Sequence, residues 1–255
     1  MQQQPVINTL GSPFIELVSV DSTNNYALRQ VREGLAGHGS AFFTYEQTAG
    51  KGQMGRQWLS EKGANIALSV VIQPKPLQIS QQFQLSACIA TATCNFLSKY
   101  AGEDVKIKWP NDLYWKDRKI GGILIENIIS GTPPAWHWAV AGIGININQT
   151  LFSPELANPV SLKQITGKNS DTKTLAEKLC TTMDKYFAQL IREGFDNLYK
   201  EYNNNLFKIN EEVRLKKGNS VFRTIIKGVT ERGELITDNT ILEERFSFGE
   251  IAWIV

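Results

Sequence analysis

The residues best equipped for chemistry crowd into one stretch, Glu46-Gln47-Thr48-Ala49-Gly50-Lys51-Gly52-Gln53-Met54-Gly55-Arg56-Gln57-Trp58. Its glycines free the backbone, so that successive amides can turn toward an anion. Lys51 and Arg56 add full charges suited to a phosphate or a carboxylate. The flanking runs Ala41 to Tyr45 and Asn65 to Ile72 read as strands, so the stretch is a loop between strands. A dinucleotide fingerprint would instead open a helix, and no Walker pattern occurs. Taken alone, the loop reads more readily as an ordinary surface connection.

Three further clusters accompany it. Asp21-Ser22-Thr23-Asn24-Asn25 lies between a strand over Phe14 to Val20 and a helix over Tyr26 to Glu33. Asp21 or Ser22 suits an N-cap. A cap needs one side chain, and the surplus suits a polar ligand with an amide-like edge. Lys108-Trp109-Pro110-Asn111-Asp112 follows a short strand and precedes a hairpin, Leu113 to Trp115 with Ile120 to Asn127, whose turn is expected at Lys116-Asp117-Arg118-Lys119. Gly121-Gly122 inside that hairpin, and Gly142-Ile143-Gly144-Ile145-Asn146 inside a strand over Trp136 to Ile147, weaken their strands unless something approaches the backbone closely.

The elements that would position these residues form an α+β layer: one mixed or antiparallel sheet with helices packed on a face. Helices are expected over Ser80 to Tyr100, from Thr172 onward, and over Phe195 to Tyr202, with apolar residues at three-and-four spacing. Asn203-Asn204-Asn205 is the expected domain boundary. Five short strands after Glu211, ending in Ile251 to Val255, predict a small barrel. The chain of 255 residues thus divides into 1–208 and 209–255. A net charge of +2 argues against nucleic-acid or membrane attraction as the main activity. Cys88, Cys94 and Cys180 lie in apolar surroundings without paired spacing, which favours reduced thiols and the cytoplasm. Two histidines, His38 and His137, exclude a multi-histidine metal site, and no metal-binding residues are assigned. The amino terminus shows no signal peptide, and no apolar run is long enough to cross a membrane.

The four clusters, in order and spacing, resemble those of biotin–protein ligases. Phe248-Gly249-Glu250-Ile251 is similar to the end of that family's SH3-like barrel, and the resemblance spans roughly residues 14 to 255. It implies a class II synthetase-like catalytic domain and a two-step reaction. ATP activates biotin to biotinyl-5'-AMP, with Mg2+ present, and the acyl group passes to a lysine of a biotin carboxyl carrier protein. By position, Ser22, Thr23, Asn24, Gln47, Lys51, Gly52, Gln53 and Lys119 correspond to biotin contacts. Arg56, Trp58, Asn111 and Asn146 correspond to ATP contacts. Lys119, Lys51, Arg56 and Asp112 correspond to the catalytic set, with Asp112 orienting or deprotonating the acceptor lysine.

Two departures stand out. The family's loop commonly reads Gly-Arg-Gly-Arg, whereas here Lys51 and Gln53 fill the arginine positions. Lysine keeps the charge without the bidentate fork, and glutamine removes the charge. About a dozen residues precede the first catalytic strand, which implies the form without an amino-terminal DNA-binding domain. Competing expectations are a lipoate–protein ligase using the same adenylation logic, a non-catalytic nucleotide- or carrier-binding module, and a nucleic-acid-binding regulator. A homodimer is possible through an open sheet edge.

Overall fold

A computed structural model describes residues 9–239 and 242–254. The main sheet has seven strands: β1 (Phe14–Leu17), β2 (Ala41–Thr44), β3 (Asn65–Ile72), β4 (Val105–Lys108), β5 (Asp112–Trp115), β6 (Arg118–Ser130) and β7 (Ala135–Asn146). Their spatial order is β1-β2-β3-β7-β6-β5-β4. β1 and β2 are parallel and every other pair is antiparallel, so the sheet is mixed, as expected. Alternation along the strands sorts the side chains. Ile143 and Ile145 of β7, and Ile66, Leu68 and Val70 of β3, enter the large core. That core lies under α2 (Gln82–Ala101), α4 (Thr172–Glu193) and α5 (Asp196–Asn204). The opposite face carries α1 (Thr23–Arg32), whose Ala27, Leu28 and Val31 pack on Phe42, Val71 and Val140. Helices therefore cover both faces, and α1 covers only part of its own. The same face holds Gly142, Gly144 and Asn146 of β7 beside Ala67 and Ser69 of β3, with only the first turn of α1, at Thr23 and Asn24, reaching over Gly142 and Ser69.

Helix ends follow local chemistry. Ser22 caps α1 by accepting from the Asn25 amide, and Asp171 caps α4 by accepting from Thr174. Gly194 ends α4 at φ 81°, a left-handed conformation that side chains resist. A five-residue helix, α3 (Leu162–Thr166), has no counterpart in the sequence reading; Ser161 and Gln164 form its capping box.

The carboxy-terminal part is a five-stranded antiparallel sheet of β8 (Glu212–Lys217), β9 (Ser220–Val229), β10 (Leu235–Asp238), β11 (Glu243–Phe246) and β12 (Ala252–Ile254), in the order β11-β10-β9-β8-β12. Among the described residues no pairing between β11 and β12 closes it into a barrel. Val255, the expected last strand residue, lies outside the described residues. The Asn203-Asn204-Asn205 run is a packed joint. Asn203 Oδ1 accepts from the Val229 amide at 2.7 Å, and the Asn205 carbonyl accepts from the Ile107 amide at 2.8 Å. Trp109 Nε1 donates to the Gly233 carbonyl at 2.9 Å, and Trp253 Nε1 donates back to the Trp109 carbonyl at 3.2 Å. These bonds bring the small sheet against the Trp109 end of the large one.

Candidate functional site

A cavity of ≈ 820 Å³ lies on the α1 face, and all the sequence-assigned residues border it: Ser22, Thr23, Asn24, Gln47, Lys51, Gly52, Gln53, Arg56, Trp58, Asn111, Asp112, Lys119 and Asn146. Its floor is made by strands. Side chains project alternately from a strand, so Ile143 and Ile145 point into the core and leave Gly142 and Gly144 to face the cavity. A Cβ at Gly142 would strike the Asn24 carboxamide, and one at Gly144 would strike the Trp58 indole. A Cβ at Gly122 would approach Asp112 Oδ1 at 3.3 Å and Lys119 Nζ at 3.6 Å. Each strand glycine flagged as a close-approach position therefore lies under a side chain of the site, except Gly121. There the neighbour is the backbone of Gly144 on the adjacent strand.

At one end sits a hydroxyl–amide network. Gln47 Oε1 accepts from the Thr23 amide at 2.9 Å and from the Thr23 hydroxyl at 3.1 Å. Ser69 Oγ lies 2.8 Å from Thr23 Oγ1 and 2.6 Å from Asn24 Oδ1. Asn24 Nδ2 donates to Glu126 Oε2 at 2.8 Å and to the Leu124 carbonyl at 3.2 Å. Ser22 serves as the helix cap, and Asn25 donates to Asp21 at 2.7 Å, which holds that carboxyl below its usual range. The five-residue polar cluster thus splits between capping and the cavity. Ser69 and Glu126, which complete the network, were missed. A lone serine in the apolar run of β3 was the available signal.

The central wall holds the charges. Lys119 Nζ pairs with Asp112 Oδ1 at 2.6 Å, with side chains about a third and a quarter exposed, 31% and 24%. Lys119 and Arg118 lie in β6, not at its turn as expected. The turn is Lys116-Asp117, with Lys116 at φ 52°. The strand begins early because Arg118 and Lys119 pair with Trp115 and Tyr114 of β5, and Lys119 also bridges to Pro159. The Lys119 amide donates to the Asn158 carbonyl at 2.8 Å, and the Val160 amide to the Lys119 carbonyl at 2.9 Å. Asn111 Nδ2 donates to the Ile123 carbonyl, and Asn146 Nδ2 donates to the Val160 carbonyl at 3.1 Å. Both amides therefore also brace the wall. Lys108, 6% exposed, sits beside it with Nζ 3.0 Å from the Tyr114 hydroxyl. Burial brings the Lys108 amine down to about 8 and pushes the Tyr114 phenol up to about 12.

The opening loop forms the remaining wall as a narrow hairpin. Trp58 donates to the Gly50 carbonyl at 2.9 Å, and Gly52 to the Arg56 carbonyl at 2.7 Å. A tight turn at Gln53–Gly55 reverses the chain, with Met54 at φ 54° and Gly55 at φ 76°. Lys51 reaches Glu126 Oε1 at 3.8 Å. Arg56 is exposed. Trp58 lies over Gly144, and among the described residues its indole N–H is buried without a hydrogen-bond partner. A buried orphan donor beside a cavity is an opening for an acceptor atom of a ligand.

Comparison with known proteins identifies the family. The model of the Biotin/lipoate A/B protein ligase family matches residues 16–146. The chain is 30% identical over 246 residues to the bifunctional ligase/repressor BirA of Escherichia coli, covering 95% of this chain and 74% of that protein. It is 31% identical over 227 residues to the biotin–[acetyl-CoA-carboxylase] ligase of Paracoccus denitrificans, covering 86% and 92%. The biotin protein ligase of Aquifex aeolicus, solved in complex with biotin and ATP, superposes with a TM-score of 0.78 at 26% identity, over 93% of this chain and 97% of that one. The chain therefore belongs to the Biotin/lipoate A/B protein ligase family and, within it, to the biotin–protein ligases.

Proposed function

We propose that the cavity carries out both halves of biotin–protein ligation: ATP-dependent formation of biotinyl-5'-AMP, then acyl transfer to a lysine of a biotin carboxyl carrier protein. The observation that carries this reading is the meeting, in one cavity, of the Thr23–Asn24–Gln47–Ser69 network with Lys119, Lys51 and Arg56. A ureido ring offers donors and acceptors in one plane, which suits the network. Lys119 stands where a carboxylate and an α-phosphate must be held together despite their mutual repulsion. A carboxylate oxygen attacks the α-phosphorus, and the bond to the bridging oxygen breaks, releasing pyrophosphate toward Arg56. The Trp58 indole offers a face and an N–H to the nucleotide. In the second half, the neutral amine of the carrier lysine attacks the acyl carbon and AMP leaves. Asp112, paired with Lys119 in the free protein, orients that amine. The hairpin lies over the cavity and shields the anhydride from water.

Mg2+ would enter with ATP. Among the described residues no group of three or more His, Cys, Asp and Glu is placed to hold a metal. Isolated carboxylates with a triphosphate are the usual setting for this ion, so the phosphates would carry it. We divide the chain at 208/209 into a catalytic unit and the small sheet. Self-association would extend the main sheet at β1, because β4 is bonded along its edge by residues 205–207. The buried free thiols fit a cytoplasmic setting, and among the described residues no helix is long and apolar enough to cross a membrane. The test supplies ATP and Mg2+ with biotin or lipoate, then an apo carrier domain. Carrier mass gain with biotin alone is expected; gain with lipoate alone reassigns the acyl group, and no pyrophosphate release with either acid overturns the ligase reading.

A further inference from the structure

Lys108 is a buried ammonium with no carboxylate within ion-pair distance among the described residues. Its surroundings are aromatic. Nζ lies 4.3 Å from the Tyr114 ring centre, 5.2 Å from that of Trp253 and 5.8 Å from that of Phe207. Tyr114 belongs to β5, Phe207 to the segment after α5, and Trp253 to β12 of the small sheet. Buried charges are normally paired, so π faces and one phenol oxygen are thin compensation. Across the β4–β5 ladder, the residue directly opposite Lys108 is Asp112. Directly opposite residues share a face of the sheet with Cβ atoms about 5 Å apart. Asp112 is meanwhile occupied by Lys119 at 2.6 Å, and that pair lies over the bare backbone of Gly122.

This arrangement presents a conflict. Lys119 must turn to the anionic groups of a ligand, and doing so strips Asp112 of its partner in a partly buried wall. We propose that Lys108 is a positioning residue that receives Asp112 when Lys119 turns to the bound acyl-adenylate, a counter-ion exchange across the β4–β5 ladder whose aromatic enclosure is completed by the small sheet through Trp253. The proposal rests on the ligase reading above. It gives the Lys119–Asp112 pair a second state in which Asp112 keeps a cationic partner and Lys108 gains an anionic one. It also explains why a residue that weakens the fold occupies this place.

The exchange has a proton signature. At rest, burial holds the Lys108 amine near 8, so at pH 8.3 it is partly neutral. A carboxylate arriving beside it favours the charged form, so ligand binding draws a proton from solvent. The groups facing Lys108 are Asp112 and Tyr114 on β5, Lys119 on β6 and Asp117 in the turn between them. Phe207 and Trp253 bring no charge, while Lys216 and Glu250 of the small sheet line the same cavity. The Tyr114 phenol, pushed to about 12, stays protonated throughout this range.

The experiment is calorimetric titration of a non-hydrolysable biotinyl-adenylate analogue, in buffers of different ionisation enthalpy, at pH 6.5 and 8.3. The wild type is expected to take up a fraction of a proton at pH 8.3 and almost none at pH 6.5. Lys108→Met is expected to bind about 10-fold or more weakly with that uptake gone. Lys108→Arg, whose charge is permanent, is expected to bind more tightly than Lys108→Met, again without uptake. Binding with the same uptake in Lys108→Met, or with none in the wild type, overturns the exchange while leaving the ligase reading intact. Failure of the wild type to bind the analogue overturns the ligase reading itself.

Discussion

The cavity has two walls built by different physics. The strand wall is fixed by ladder register. Lys119, Asp112, Gly122, Gly142 and Gly144 occupy positions dictated by β5, β6 and β7, and the Asn24 amide is held from three sides. The hairpin wall rests on backbone bonds at Gly50 and Gly52 and one ion pair at 3.8 Å, with Arg56 exposed. Side chains on a rigid ladder can aim at a reacting centre to within a fraction of an ångström, which an exposed hairpin cannot match. On the proposed ligase reading, the difference would put the reacting atoms against the strands and retention of the intermediate with the hairpin. Substitutions should then divide by wall.

The largest effect is expected at Lys119. Lys119→Ala removes the cation proposed to stand between the two reacting anions and should lower adenylate formation by about 1,000-fold or more, equal to roughly 4 kcal/mol of barrier. Pyrophosphate release measures it. Near-normal turnover would break the assignment of chemistry to the strand wall. Next comes Gly142→Ala. The added methyl overlaps the Asn24 carboxamide, which must then give up its bonds to Glu126 and Ser69. Displacing one buried amide of this kind is worth about 1–3 kcal/mol. The apparent affinity for biotin should fall by about 10- to 100-fold, and an unchanged affinity would dissociate the network from biotin.

The strand wall was legible in part. Apolar residues alternating with Gly142, Gly144 and Asn146 declare a strand with one core face and one face too bare to be packed by its own side chains. What covers that face was not legible, because Asn24 and Trp58 arrive from segments more than eighty residues away. Lys108 was visible as a cation in a short strand, but its enclosure depends on Phe207, from the segment after α5, and on Trp253, brought in by docking of the small sheet. The turn is shorter than the sequence suggests because Arg118 and Lys119 look solvent-facing in sequence, whereas pairing with Trp115 and Tyr114 of β5 draws them into β6. The hairpin wall was legible as Gly-rich and cationic. Its internal ladder was not, since no apolar alternation marks it.

A third prediction concerns the cost of the strand wall. With its amine lowered in the fold from the ordinary value to about 8, Lys108 binds fewer protons folded than unfolded between those two values. Its contribution to stability therefore rises with pH from about 8 upward, and at neutral pH the full penalty is present. Lys108→Met should raise unfolding free energy at pH 7 by on the order of 2 kcal/mol, and the gain should shrink toward pH 10. Urea titrations at both values read this directly. On the hairpin wall, Arg56→Ala removes the exposed cation proposed to meet the leaving pyrophosphate. A loss of about 10- to 50-fold in kcat/KM for ATP is expected, well below the Lys119 effect. A loss equal to that of Lys119 would erase the division between the walls.

The smallest effect is expected at Gln53, the tip of the hairpin. Lys51 and Arg56 already place two cations on this short element, and Gln53→Arg adds a third at its turn. Without ligand, the three repel one another in an exposed loop, so the free protein gains nothing and melts at or slightly below the wild-type temperature. With the adenylate bound, the added guanidinium faces a phosphate and the sign reverses. The variant should show a larger ligand-induced rise in melting temperature than the wild type. The intermediate should also escape a few-fold more slowly. The ratio of biotin placed on a bystander protein to biotin placed on the carrier measures that escape and should fall by the same few-fold. An unchanged ratio, or no bystander labelling by the wild type, would mean that the strand wall alone retains the adenylate and that the hairpin serves only to exclude water.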